Sequence, residues 1–219
     1  MSARITPEMW SEYLGVFWDH PQNAHRYIAG GTPVLPGDIC LDCGACEGFF
    51  VFQAIAAGAA QVVCLEPNEA MAKSLARTFA AAIEEGKVVI QNVALGANDG
   101  EATFTFDSAS PFGGASGDEG NSVVVQSRTI ATVCRELSLE RIDFVKMDIE
   151  GGEIQAIEGA MPILRKWKPR LAITTYHREF DYAALKAFLL AAGYSTIRPS
   201  GCTNRSESTY RPVMLHASP

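Results

Sequence analysis

Two groups of residues in this chain have the types and spacing to do chemistry. In the first, the string DCGACEG, Asp42 to Gly48, follows a short apolar run and leads at once into a helical pattern; the next apolar run, VVCL, ends on a carboxylate, Glu66. A glycine turn lets a ligand approach bare main chain, and an acid at the neighbouring strand end is placed to accept two hydroxyl protons from a ribose. Together they point to a nucleoside-type ligand. The second group is Asp148, Glu150 and His177, each near the carboxyl end of an expected strand and each able to accept a proton from a substrate. His177 stands out because an imidazole with an ordinary pKa of about 6.5 suits a base at neutral pH.

The turn also limits which nucleoside fits. A dinucleotide needs G-x-G-x-x-G so that the backbone closes on a pyrophosphate, and this chain has Gly44 and Gly48 with Cys46 between them. A triphosphate needs G-x-x-x-x-G-K-[ST], which does not occur. S-adenosylmethionine carries a ribose and an adenine without phosphate, and it fits what remains. The clustered carboxylates Asp148, Glu150 and Glu153 suit magnesium, but Glu150 and Glu153 read more simply as acids favoured at a helix N-terminus. Cys40, Cys43 and Cys46 lack a fourth ligand for a cluster or zinc. No metal site is therefore assigned. Lys146 alternates with Val145 and Met147 in an expected buried strand, so its ammonium requires a carboxylate partner.

These residues have to be positioned by a scaffold. From Asp38 onward, short β-rich runs alternate with helical patterns, the mark of a mainly parallel sheet covered by helices. The expected strands are Asp38 to Asp42, Gln61 to Leu65, Lys87 to Asn92, Ile142 to Asp148, Leu171 to Thr175, Ser195 to Arg198 and Tyr210 to Leu215. The expected helices are Phe49 to Ala57, Glu69 to Glu85, Glu153 to Leu164 and Tyr182 to Ala192, with Gly58, Gly86 and Gly193 as stops past three of them. Glu101 to Phe106 and Ser122 to Gln126 read as short strands around a Gly/Ser/Asp-rich loop that is either a substrate lid or a solvated hairpin tip. Residues 1–36 carry Trp10, Tyr13, Leu14, Phe17 and Trp18 at helical spacing and read as a helical extension packed on a domain of residues 37–219.

Composition removes other classes. The 219 residues are 47% hydrophobic and 20% charged, which excludes a mostly disordered, collagen-like or coiled-coil chain. A net charge of -7 repels phosphate backbones, so nucleic acid is not an expected partner. The apolar run Gly48 to Leu65 holds Gln53, Gly58 and Gln61 and divides into a helix and a strand, so no membrane span is expected. The start has no secretory pattern and the 6 cysteines make no disulfide scaffold, which favours reduced thiols and a cytoplasmic setting.

In order, DCGACEG, LEPN at Leu65 to Asn68, NVALG at Asn92 to Gly96 with Asp99 and Gly100 after it, IDFVKMDIEGGE at Ile142 to Glu153, and KPRLAITTYH at Lys168 to His177 resemble the FkbM-type S-adenosylmethionine-dependent methyltransferases. The resemblance implies an α/β, Rossmann-like class I methyltransferase fold: a seven-stranded, mostly parallel sheet with helices on both faces and an antiparallel last strand. It also implies O-methylation of a hydroxyl on a sugar or other small-molecule acceptor. Carried onto this chain, Asp42, Cys43, Gly44, Ala45 and Gly48 would hold the methionine end and backbone of the cofactor. Glu66, with Pro67 and Asn68, would take the ribose, and Asn92, Val93 and Ala94 would border the adenine. Asp148 would face the cofactor amino group or the acceptor. A sulfonium methyl is already activated, so such an enzyme must bring the acceptor oxygen in line at roughly 3 to 3.5 Å and give its proton a base: His177, Asp148 or Glu150. The rival readings are a nicotinamide-dependent oxidoreductase using the same acid, and a nucleoside-binding protein without catalysis. Acceptor identity and oligomeric state carry no signal in these residues.

Overall fold

A computed structural model of the chain describes residues 23–29, 31–106, 113–114, 121–203 and 210–219. Strand β1 (Ile39–Cys43) begins the alternation, followed by α1 (Phe49–Ala56), β2 (Gln61–Leu65), α2 (Glu69–Thr78), α3 (Ala80–Glu84) and β3 (Val88–Gln91). Next come β4 (Ala94–Leu95), β5 (Gly100–Phe106), β6 (Gly113–Gly114) and β7 (Asn121–Arg128), then α4 (Ile130–Glu136) and β8 (Phe144–Met147). The chain continues through α5 (Glu153–Trp167), β9 (Arg170–Thr174), α6 (Asp181–Ala191), β10 (Thr196–Ser200) and β11 (Met214–Ser218).

Seven strands form one sheet in the order β10-β11-β9-β8-β1-β2-β3, parallel except for β11, which runs antiparallel to both β9 and β10. The expected α/β fold with its antiparallel last strand is what forms. Both faces of the sheet are covered, so its inner strands are nearly continuous apolar runs. Period-two alternation sends Leu41, Val63, Val145 and Leu171 into a layer under α4, α5 and α6, and Cys40, Val62, Phe144 and Ala172 into a second layer under α1 and α2. From β1 the chain moves outward on one side to β2 and β3 and on the other to β8 and β9. The carboxyl ends of β1 and β8 thus flank the point where strand order reverses, where open α/β sheets bind ligands. The second sheet, β4-β7-β5-β6, is built around the long antiparallel pair β5 and β7.

Several elements depart from expectation for identifiable reasons. The expected helix Glu69 to Glu85 breaks at Phe79, whose ring turns inward against Phe52, with centroids 4.6 Å apart, and against Gly48. The last strand begins at Met214, after Pro212, because it is paired on both sides and proline cannot donate to a ladder. Helix α4 was not anticipated, being rich in Ile, Thr and Val; it forms on a cap, Thr129 Oγ1 accepting from Thr132 N at 3.0 Å, and on burial of Ile130, Val133 and Cys134. Residues 23–36, where described, form turns and irregular chain rather than helix, while Trp10 to Trp18 lie outside the described residues, as does most of the Gly/Ser/Asp-rich loop. No described helix is long and apolar enough to cross a membrane. All six cysteines are unpaired.

Candidate active site

Strand β1 delivers the chain into a turn at Gly44, φ +78°, where an added β-carbon would lie 1.9 Å from the Asp148 carbonyl oxygen. Only glycine lets the turns after β1 and β8 lie this close. Gly44 N donates to Leu65 O at 2.9 Å and Asp148 N to Cys43 O at 3.0 Å, which ties three strand ends together. At the end of β2, Glu66 is buried. Its Oε2 accepts from Cys46 N and its Oε1 from Asn68 N, both at 2.9 Å. Each carboxylate oxygen has two acceptor directions, so one on each remains for a pair of neighbouring hydroxyls. Burial raises the pKa of Glu66, and the two N–H groups work against that rise. Asn92 Nδ2 donates to the carbonyls of Glu66 at 2.8 Å and Pro67 at 3.0 Å, and Asn68 caps α2. A bare main-chain bend and a diol-accepting acid fit a ribose-bearing ligand without phosphate.

Other residues that the sequence assigns to a cofactor do not offer their side chains to the open side of the turn. The carboxylate of Asp42 is wholly buried and paired with Lys146 Nζ at 3.0 Å across the β1–β8 register, so it does not reach the open side of the turn. The carboxylate partner required for Lys146 is therefore Asp42. Burial opposes the charge on Lys146, but Asp42 and Asp148 outweigh it and hold its pKa above the usual value. The ammonium then donates to the Gly44 carbonyl, which props the turn from below. Cys43 and Ala45 are buried and offer only main chain, Ala94 is buried in β4, and Val93 packs against the core.

The ends of β8 and β9 carry the second group. Asp148, Glu150 and His177 do come together, and Glu153 joins them from the first turn of α5. His177 Nε2 lies 3.6 Å from Asp148 Oδ1 and 3.3 Å from Glu150 Oε2, and its Nδ1 lies 3.1 Å from Glu153 Oε1. Glu150 sits at φ +56°, a backbone state uncommon for a side-chain-bearing residue and one that aims its carboxylate back at the imidazole. Burial favours a neutral His177, but Glu150 and Glu153, then Asp148, outweigh it and push its pKa up to about 10. The three carboxylates thus favour the charged ring, unlike the unperturbed imidazole expected from the sequence. Asp148 is half-buried, which raises its pKa, yet His25, then His177 and Lys146, hold its carboxyl well below the usual carboxylate range.

Two residues in this constellation had no signal in the sequence. Tyr27 OH donates to Asp148 Oδ2 at 2.7 Å, with Lys146 Nζ 5.0 Å from the centre of its ring, and His25 Nε2 lies 3.5 Å from the same carboxylate oxygen. Both come from the irregular segment before β1. A tyrosine and a histidine two residues apart in a turn carry no periodicity that would mark them.

The model of the methyltransferase FkbM domain family matches residues 42–196, well over half of the chain. A methyltransferase FkbM from Methylobacillus flagellatus KT has a similar crystal structure, with TM-score 0.65 and 21% identity over 90% of this chain and 50% of that one. This chain thus spans half the length of that protein. A precorrin-6y C5,15-methyltransferase from Geobacter metallireducens GS-15 gives TM-score 0.52 and 10% identity over 100% of this chain and 92% of its own. At these identities the likeness is one of fold. No curated protein matches the chain.

Proposed function

The chain belongs to the FkbM methyltransferase domain family, and from that premise we propose that it transfers the methyl group of S-adenosylmethionine to a hydroxyl oxygen of a sugar or other small metabolite. The observation that carries this reading is the Glu66 carboxylate, fixed by two N–H groups with one acceptor direction free on each oxygen, beside the bare turn at Gly44. S-adenosylmethionine supplies a methyl already activated by its sulfonium. Glu66 takes the ribose hydroxyls, the Gly44 turn borders the chain leading to the sulfur, and Asn92 holds the Glu66–Pro67 main chain in place. Across the switch point, the acidic cluster orients the acceptor hydroxyl. Glu150, with 40% of its side chain exposed, is the member most open to substrate and receives the proton, while Asp148 stays ionised under Tyr27 and His25.

Calorimetry with S-adenosylmethionine, S-adenosylhomocysteine and NAD tests the donor. Binding of the first two with no heat from NAD is expected; NAD binding with neither of the others would favour the oxidoreductase reading. Incubating cell extracts with methyl-labelled donor then tests the acceptor. Label in a base-stable, small-molecule ether is expected, and label on nitrogen or carbon would overturn the O-methyl assignment.

A further inference from the structure

We propose that Asp148, Glu150 and His177 form a binding site for one divalent first-row transition cation of the manganese class, at the acceptor end of the site. Each offers one ligand atom, and these atoms all lie within 4.8 Å of one another. His177 Nε2 is 3.6 Å from Asp148 Oδ1 and 3.3 Å from Glu150 Oε2. Ligands held about 2.1 Å from a central ion in octahedral array stand roughly 3 Å apart, so small side-chain movements close these three around one ion.

A second observation is independent of the carboxylates. The His177 side chain is 7% exposed, and its Nε2 faces the gap between Asp148 and Glu150 without a hydrogen-bond partner among the described residues. A buried ring nitrogen in ion-pair range of two carboxylates, but out of hydrogen-bond alignment with both, gives up little when a cation takes the place of its proton. Its other nitrogen faces Glu153 Oε1 at 3.1 Å, and that fully buried oxygen is held in turn by Ile149 N at 2.9 Å. A carboxylate in ion-pair range behind an imidazole is the kind of neighbour that orients a metal-binding histidine. Asp148 Oδ1 is steadied by Thr174 Oγ1 at 3.1 Å, while its Oδ2 is occupied by Tyr27 OH. One imidazole with two carboxylates suits manganese better than calcium or magnesium, which prefer oxygen alone.

In the sequence, Glu150 and Glu153 read as acids favoured at a helix N-terminus; in the fold, β9 brings His177 to them. The purpose of the site rests on the methyl-transfer reading, since a cation here draws charge from an acceptor hydroxyl.

The test titrates the chelator-stripped full chain with Mn2+ alone, with no methyl donor or acceptor, following the free-ion electron paramagnetic resonance signal. One equivalent is expected to bind, with affinity falling at least tenfold in His177→Ala and Glu150→Gln, and about tenfold in the positioning variant Glu153→Gln. Less than one equivalent in the wild type, or equal affinity in His177→Ala, would overturn the site. Should the variants fail to fold, Co2+ added to the wild type decides: a visible spectrum shifted by nitrogen ligation supports the site, and one identical to the aqueous ion refutes it. S-adenosylmethionine calorimetry on the same samples keeps the two readings apart. Donor binding without cation binding refutes this inference alone, and cation binding without donor binding leaves it standing while the methyl-transfer reading falls.

Discussion

The two halves of the site are held by different forces. On the β1–β2 side, polar groups are anchored to main chain: Glu66 by two N–H groups, Asn92 by two carbonyls, and the Gly44 turn by the Leu65 carbonyl. On the β8–β9 side, Asp148 is surrounded by the side chains of His25, Tyr27, Thr174 and His177, and His177 by three carboxylates. Main-chain anchors follow from the fold itself, whereas an arrangement of side-chain charges is rewired by a single substitution. If the two sides are the donor and acceptor sites as proposed, substitutions should separate donor binding from acceptor handling.

The largest test of that contrast is Lys146→Met. Lys146 supports the main-chain half through a buried ion pair, and removing it leaves the Asp42 charge uncompensated, at an expected cost of about 3–5 kcal/mol in urea unfolding. Adding Asp42→Asn should restore a good part of the loss; no restoration would mean that the pair is not what holds the turn. Next is Glu66→Ala. Losing two hydrogen bonds to a charged acceptor should weaken S-adenosylmethionine binding by about a hundredfold in calorimetry, with a much smaller change in melting. A larger effect on melting than on affinity would make Glu66 a strut between two turns and not a ligand for the ribose.

A third test isolates burial from charge pairing. His216 is buried and has a hydroxyl partner, Thr32 Oγ1 at 2.7 Å, with no carboxylate contact among the described residues. Burial, then the charge of Arg26, pushes its pKa down to about 4. A histidine whose folded pKa lies below its unfolded value of about 6.5 contributes fully above pH 6.5 and loses that contribution as the pH falls towards 4. The wild type should lose about 2 kcal/mol between pH 7 and pH 5 that His216→Gln does not, measured as unfolding free energy against pH. The smallest effect expected is from Tyr27→Phe, about a tenfold fall in turnover for one hydrogen bond to a charged group, with donor affinity unchanged. If donor affinity fell equally, the two halves would be coupled.

What the sequence made legible follows the same division. The buried parallel strands, the turn at Asp42 to Gly48 and the acid at Glu66 could be read because each rests on local pattern: apolar runs, a glycine turn and a carboxylate one residue past a strand. That Asp42 turns inward to Lys146 could not, because strand register decides which face meets which. The approach of His25 and Tyr27 to Asp148 was equally hidden, since it joins segments more than a hundred residues apart through an irregular stretch with no periodicity, whereas His177 could be grouped with Asp148 because both stand at expected strand ends. Helix α4 was missed for another reason. Its Ile, Thr and Val favour strands, and only the Thr129 cap, itself held by Asp99 through Thr129 N at 2.8 Å, and its buried face make it helical.

Strand β11 is wedged between β9 and β10, yet ribosomes make it after every other strand of the sheet. Until Met214–Ser218 leave the exit tunnel, β10 has no seat and the outer edge of β9 stays open to any passing strand. A stalled or nicked chain lacking these residues loses an interior plank and not a fringe, and its nascent form will need shelter from self-association that the finished sheet does not.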